Sequence, residues 1–242
     1  MTRIYETQNY LMIHAAYRAP SCHSHQAAHI LLGLEGTIAV TLNGEKQLCR
    51  GILIPPGISH TVDTAGKPVL VFLFDSRTSA AKQICNVRIL PEQDCITLVQ
   101  RYGAFCEDSC TYRQFERDLL EMLGMSQVIS CVTDCRIEEA LDYMRTRLSE
   151  PLTCRETAAA VCLSESRFSH LFRQQVGMTF AAYRIFQRLM YVYGAVIGGS
   201  SLTEAALDAG ISSSAHFADV NRRIFGLPAS CVTQKLIFQK ID

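Results

Sequence analysis

The rhythm of apolar and polar residues changes near Pro91. Before it the chain runs in short apolar stretches of strand length, broken by Gly and Pro. "GTIAVTLNGEKQL" holds two such stretches around Asn43-Gly44, a pair that favours a two-residue hairpin turn because both positions tolerate positive φ. "GILIPPGISHTV" and "KPVLVFLFD" supply further strands. Several short strands at this spacing predict a sandwich or small barrel over residues 1–90.

After Pro91 the period is that of a helix. "EQDCITLVQRY" and "TYRQFERDLLEMLGMSQVI" are amphipathic, and the second carries Phe115, Leu119, Met122 and Leu123 on one stripe. Such a stripe packs either on the chain's own barrel or on a second copy, and the pattern does not choose. Asp134 stands as an N-cap ahead of "CRIEEALDYMRTRLSE", which Pro151 ends. Everything beyond reads as helix to the end of the chain. The expectation is two domains, β first and α last: a barrel at 1–90, a helical linker and dimerisation segment at 91–130, and a helical domain at 131–242.

The helical part contains a repeat. "CRETAAAVC" is a short Ala-rich helix, "LSES" a turn with Ser164 as N-cap, and "SRFSHLFRQQVG" a second helix stopped by Gly177. A long helix, "FAAYRIFQRLMYVYGAVI", capped by Thr179 and ended at Gly198-Gly199, leads to "LTEAALDAG" and "ISSSAHFADVNRRIFG". The two pairs share Ala-Ala in the first helix, Phe168 against Phe217, and a closing Gly177 against Gly226. Helix, tight turn, helix is the geometry that sets a second helix into the DNA major groove.

Composition constrains this reading modestly. Net charge is zero over 242 residues, so no general attraction for nucleic acid exists. Residues 151–242 nevertheless carry nine basic against six acidic side chains, a surplus permissive for DNA contact. No apolar run is long enough to cross a membrane and no signal-peptide core is visible, so a cytoplasmic location is expected. The eleven cysteines then read mainly as free, mostly buried thiols; Cys106 with Cys110 and Cys131 with Cys135, each one helical turn apart, are candidates for a soft metal or for oxidant sensing.

Residues 134–230 resemble the AraC/XylS family of transcription regulators. The likeness is carried by "LSESRFSHLFRQQVG", by Arg188-Leu189 in the joining helix, and by "ALDAGISSSAHF" with the closing "FG". The resemblance implies a double helix-turn-helix domain that binds double-stranded DNA as a homodimer, with RNA polymerase as a candidate partner. By position it assigns base-facing roles to Ser166, Ser169 and His170, with Arg167 beside them and Arg173 on phosphate. In the second pair it assigns Ser213, Ser214 and His216 to sugar, phosphate or bases and Arg222 and Arg223 to the backbone. The chain departs from the family pattern where Asn221 replaces an apolar aromatic, where Ala215 and Asp219 replace basic or amide residues, and where Pro228 follows Gly226 by two residues rather than three. Asp219 repels phosphate and Ala215 offers only apolar contact, so the first pair is expected to carry most base readout.

The N-terminal part resembles a cupin. In the first cupin motif, His23-x-His25, three residues, an acidic ligand, six residues and Gly36, His29 occupies the acidic position. In the second, Cys49 replaces the leading Gly, while Pro55, Gly57 and His60 fit. His23 and His25, two apart, face one way on an extended chain. The resemblance implies a divalent metal on His23, His25, His29 and His60, which as four imidazoles would suit zinc, nickel, iron(II) or copper; otherwise the barrel holds an organic effector, with Tyr17, Arg18 and Glu35 close by to orient an anion or sugar. The whole is therefore expected to be a non-enzymatic, effector- or metal-sensing DNA-binding regulator: a cupin-like β-barrel followed by an all-α double helix-turn-helix domain. A metal-dependent cupin enzyme and a thiol-based redox regulator are the alternatives.

Overall fold

The computed structural model describes residues 2–7, 10–16, 22–125, 127–225 and 236–241. Tyr17, Arg18, Gly226 and Pro228 lie outside them. The N-terminal part is two β-sheets face to face. One is seven-stranded, in the order β10-β1-β2-β8-β3-β6-β9, and the other three-stranded, β5-β4-β7. Their strands are β1 (Thr2–Glu6), β2 (Tyr10–Ala16), β3 (His29–Gly33), β4 (Ile38–Leu42), β5 (Glu45–Cys49), β6 (Gly51–Ile54), β7 (His60–Asp63), β8 (Pro68–Phe74), β9 (Arg88–Ile89) and β10 (Leu236–Lys240). The expected barrel is thus not closed: no named strand of one sheet pairs with one of the other, and the isolated bridge His23–His60 is what links the two edges among the described residues.

β8 explains why its sequence shows no alternation. Val69, Val71 and Leu73 point into the sandwich, while Leu70, Phe72 and Phe74 point to the opposite face. A central strand covered on both faces reads as a continuous apolar run. The outer face is covered by α1 (Ser79–Gln83), α2 (Glu92–Glu107) and α3 (Tyr112–Met122). Phe115 and Leu119 of α3 are buried there, with Phe115 stacked on Phe72 at 5.9 Å, so the α3 stripe packs on its own sheet. The Asn43-Gly44 hairpin forms as expected, with φ of 48° and 92°.

The helical part comprises α4 (Cys135–Arg145), α5 (Cys154–Ala160), α6 (Glu165–Val176), α7 (Phe180–Ile197), α8 (Leu202–Asp208) and α9 (Ser214–Phe225). Asp134, Thr153, Ser164, Thr179 and Ser201 each accept a hydrogen bond as N-cap, and Thr153–Glu156 and Ser201–Glu204 close full capping boxes. The same box therefore opens the first helix of both pairs. Gly177 takes φ 81° and ends α6.

Two expectations fail. The chain is not helical to its end, because β10 returns to the sheet and pairs in parallel with β1, Thr2 opposite Leu236 through Glu6 opposite Lys240. Backbone pairing along five residues outweighed the helical trend once a free sheet edge was available, an edge the sequence does not display. Nor are the thiols mostly buried. Of the described cysteines only Cys49 and Cys95 are buried, and Cys106, Cys110 and Cys135 are exposed, because they sit on outward helix faces and ends.

Candidate DNA interface and the cavity behind it

The first helix pair is held by a core of its own. Phe168, Leu171, Phe172 and Val176 of α6 meet Ile137, Leu141 and Met144 of α4, with Met178 and Tyr183 closing the cluster. That packing turns the other side of α6 outward: Ser166, Arg167, Ser169, His170 and Arg173 are all exposed. Ser169 Oγ lies 3.2 Å from Cys154 Sγ of α5.

The second pair repeats the geometry with different means. Ala205, Ala206 and Ala209 of α8 let Phe217 and Val220 of α9 and Val192 of α7 pack closely. His216, Arg222 and Arg223 are exposed, Ser213 and Ser214 half so. Two of the candidate contacts already have local work: Ser213 Oγ accepts the His216 N–H at 3.1 Å as the cap of α9, and His216 Nδ1 meets Ser212 Oγ at 2.9 Å. Asn221, which stands where the family pattern has an apolar aromatic, is fully buried, and Tyr193 Oη donates to its Oδ1 at 2.6 Å. A polar pair replaces an aromatic.

α7 joins the two units through its arginines. Arg184, buried, donates to the carbonyls of Arg147, Leu148 and Glu150, and Arg188 to those of Leu148 and Glu150. Burial lowers both guanidinium pKa values from the ordinary range, yet five donors per side chain let them gather the carbonyls that follow α4. Arg184 went unnoticed in the sequence; its signal was the spacing of four from Arg188, which puts both on one face of α7.

The helices dock directly on the sandwich. Ser76 Oγ donates to the Val176 carbonyl at 2.6 Å, and a Cβ on Gly177 would meet the Ser76 carbonyl at 2.9 Å. Between α7, α9 and the sheet edge lies a cavity of about 480 Å³. Its walls are apolar, with Leu73 and Ala27 on one side and Phe186, Met190 and Ile224 on the other; Arg77, Arg223 and His25 reach its margin. Arg77 is paired with Asp75, which holds its pKa above the usual range.

His25 belongs to a second feature. The rings of His25, His29 and His60 lie 4.6–5.3 Å apart, and His23 lies 4.3 Å from His60. Burial, and then the neighbouring imidazoles, pushes the pKa of His25 down to about 3, and burial pushes that of His60 down to about 4 and that of His29 well below its ordinary value. These rings are neutral at pH 7. Of the four histidines singled out in the sequence, His23, His25 and His60 bring ring nitrogens within 4.8 Å of one another, and His29 adjoins His25 and His60. Glu35, expected nearby as an effector contact, does not line the cavity.

Comparison with known proteins agrees with this geometry. Residues 157–235 match a family model described as a helix-turn-helix domain. Over 72 residues the chain is 36% identical to the arabinose operon regulatory protein of Escherichia coli, which is 29% of this chain and 25% of that protein, so the match spans about a quarter of that relative. Over 236 residues it is 22% identical to a probable transcriptional regulator, LumQ, of Photobacterium leiognathi, covering 87% and 90% of the two chains. Among solved structures, apo ToxT of Vibrio cholerae superposes with a TM-score of 0.59 at 10% identity over 91% of this chain and 95% of that one, a likeness of fold. ToxT has also been solved with an unsaturated fatty acid bound (TM-score 0.57, 9% identity, 92% and 94% covered). No helix of the described residues is long and apolar enough to cross a membrane.

Proposed function

We propose that the chain, whose residues 157–235 match a helix-turn-helix family model, is an AraC-family transcription regulator that reads double-stranded DNA mainly through α6. The observation that carries this is the division of α6: every apolar side chain sits in the core and every candidate contact, Ser166 through Arg173, faces solvent. Serine and histidine at the exposed middle of the helix are suited to base edges, and Arg173 to phosphate, which positions without specifying. α9 contributes mainly Arg222 and Arg223 to backbone contact, since Ser213 and His216 are engaged locally.

The interdomain cavity is the effector site of this reading. An amphipathic molecule, with an apolar chain against Phe186 and Met190 and an anionic head near Arg223, would brace α7 and α9 against the sheet. The fatty-acid complex of ToxT supports the ligand class. The cupin-like reading of the sandwich rests on the meeting of the two motif histidine sets. Dimerisation remains part of the proposal without α3 as its seam, because that stripe is occupied.

An electrophoretic shift on DNA upstream of the gene tests the function. Sequence-preferring binding that survives moderate salt is expected, and His170→Ala weakens it while random DNA is bound no better; equal affinity for random and upstream DNA at every salt concentration overturns the proposal. Oleate is expected to change that affinity, and Met190→Glu to abolish its effect.

A further inference from the structure

Of the strands named above, β10 alone comes from beyond the helices. The chain leaves α9 at Phe225 and is next described as β10, on the outer edge of β1, in parallel register from Thr2–Leu236 to Glu6–Lys240. The Ile241 N–H donates to the Glu6 carbonyl at 2.9 Å. Successive N–H groups of a strand point to opposite edges, so those of Gln239 and Ile237 also face β1. The side chains of Ile237 and Gln239 stay in solvent.

The exit from α9 and the anchor of β10 meet the same cavity. Arg223 and Ile224, in the last turn of α9, form part of its wall, and Glu6 and Thr7, where β1 ends, form another part. With β10 paired, the segment that follows α9 is tied to the sheet beside that cavity. Arg223, assigned above to the DNA backbone, is thereby kept at its margin. A gap of about 480 Å³ has the size of a small-molecule site and admits no duplex. The docked second unit therefore offers DNA less than its sequence provides.

The tie is of a kind that opens. Parallel pairing is slightly weaker per residue than antiparallel pairing, and a terminal strand on a sheet edge belongs to the part of a fold that unfolds locally at low cost. β1 keeps its place when β10 leaves, because β2 holds its other edge, from Arg3–His14 to Glu6–Leu11.

We propose that β10 is an autoinhibitory strap: paired with β1 it holds α9 against the sandwich, and full engagement of DNA by the second unit requires its release. The inference rests on the DNA-binding reading and adds a regulation to it. The coupling is reciprocal, so a strap that opposes DNA is itself loosened by DNA.

The test uses the full chain, with hydrogen exchange over residues 2–6 as the readout of the strap and fluorescence anisotropy as the readout of DNA. Gln239→Pro removes one N–H from the β1 side and leaves everything before β10 unchanged. It should speed exchange in β1 without DNA and raise DNA affinity about threefold or more. Gln239→Ala, which keeps the N–H, should do neither. Saturating duplex should speed β1 exchange in wild type, and much less in Arg223→Ala, which still binds through α6. Unchanged β1 exchange in Gln239→Pro overturns the strap. Faster exchange with affinity unchanged or lowered overturns its autoinhibitory role, as does β1 exchange that bound DNA leaves untouched in wild type. A random duplex at low salt serves for these measurements. Equal affinity for random and upstream DNA would thus strike the regulator reading while the strap was still read.

Discussion

The two helix-turn-helix units carry the same capping box, the same Ala-rich first helix and the same central phenylalanine, yet they are attached to the molecule differently. The first keeps a closed core around Phe168 and Phe172 and touches the sandwich at Ser76, whose hydroxyl donates to the Val176 carbonyl. The second shares one continuous core with the sandwich: Leu189, Val192, Phe217 and Val220 run through Met190 and Ile224 to the inner sheet residues. Beyond α9 the chain also returns as β10 to the sheet edge. A unit with its own core can present its outer face whatever the sandwich does. A unit that borrows its core is sensitive to whatever fills the cavity between them.

The largest effect should come from the core phenylalanines. Phe168→Ala and Phe217→Ala each remove a fully buried ring and should cost about 3–5 kcal/mol. The comparison is sharpened by where the loss spreads. Hydrogen exchange should show Phe168→Ala opening α5 and α6 alone, whereas Phe217→Ala should also loosen the inner face of the sandwich; equal spread from both would break the distinction.

DNA contacts come next. His170→Ala in the first unit should lower specific affinity by about 1–3 kcal/mol, and His216→Ala in the second by clearly less. Arg173→Ala should weaken all sequences alike and reduce the salt slope by about one. Fluorescence anisotropy on matched and scrambled duplexes reads both.

The buried Asn221–Tyr193 pair is specific to the second unit. Asn221→Ala should destabilise by about 1–3 kcal/mol by stranding the Tyr193 hydroxyl, and combining it with Tyr193→Phe should recover part of that loss. A double-mutant cycle by urea denaturation reads the coupling.

The capping boxes, which the two units share, should be the smallest and most similar: Thr153→Ala and Ser201→Ala should each cost about 1 kcal/mol. A large disparity in thermal melts would mean that the second unit's helix is held mainly by the sandwich.

Much of this was legible without coordinates. Ser164, Thr179 and Gly177 announce helix ends because capping and left-handed φ are local chemistry, and Asn43-Gly44 announces its turn for the same reason. The outward face of α6 followed from the helical spacing of Phe168, Leu171, Phe172 and Val176, since burying one stripe exposes the other. The four histidines could be named from two motifs, although their approach to one point could not. What escaped were long-range choices. The partner of the α3 stripe, the satisfaction of Asn221 by a tyrosine 28 residues away, and the pairing of β10 with β1 each depend on a surface built by distant chain.

The sequence by itself settled where most helices begin and end and which side of each is apolar, the terminal strand β10 excepted, because propensity, caps and periodicity act over a few residues. The tertiary structure decided which apolar faces meet. It closed one helical unit on itself and fused the other to the sheets, and it left a cavity where the fit was incomplete. Several arrangements bury the same stripes, and their free energies are separated only by complementarity of shape between surfaces far apart in the chain.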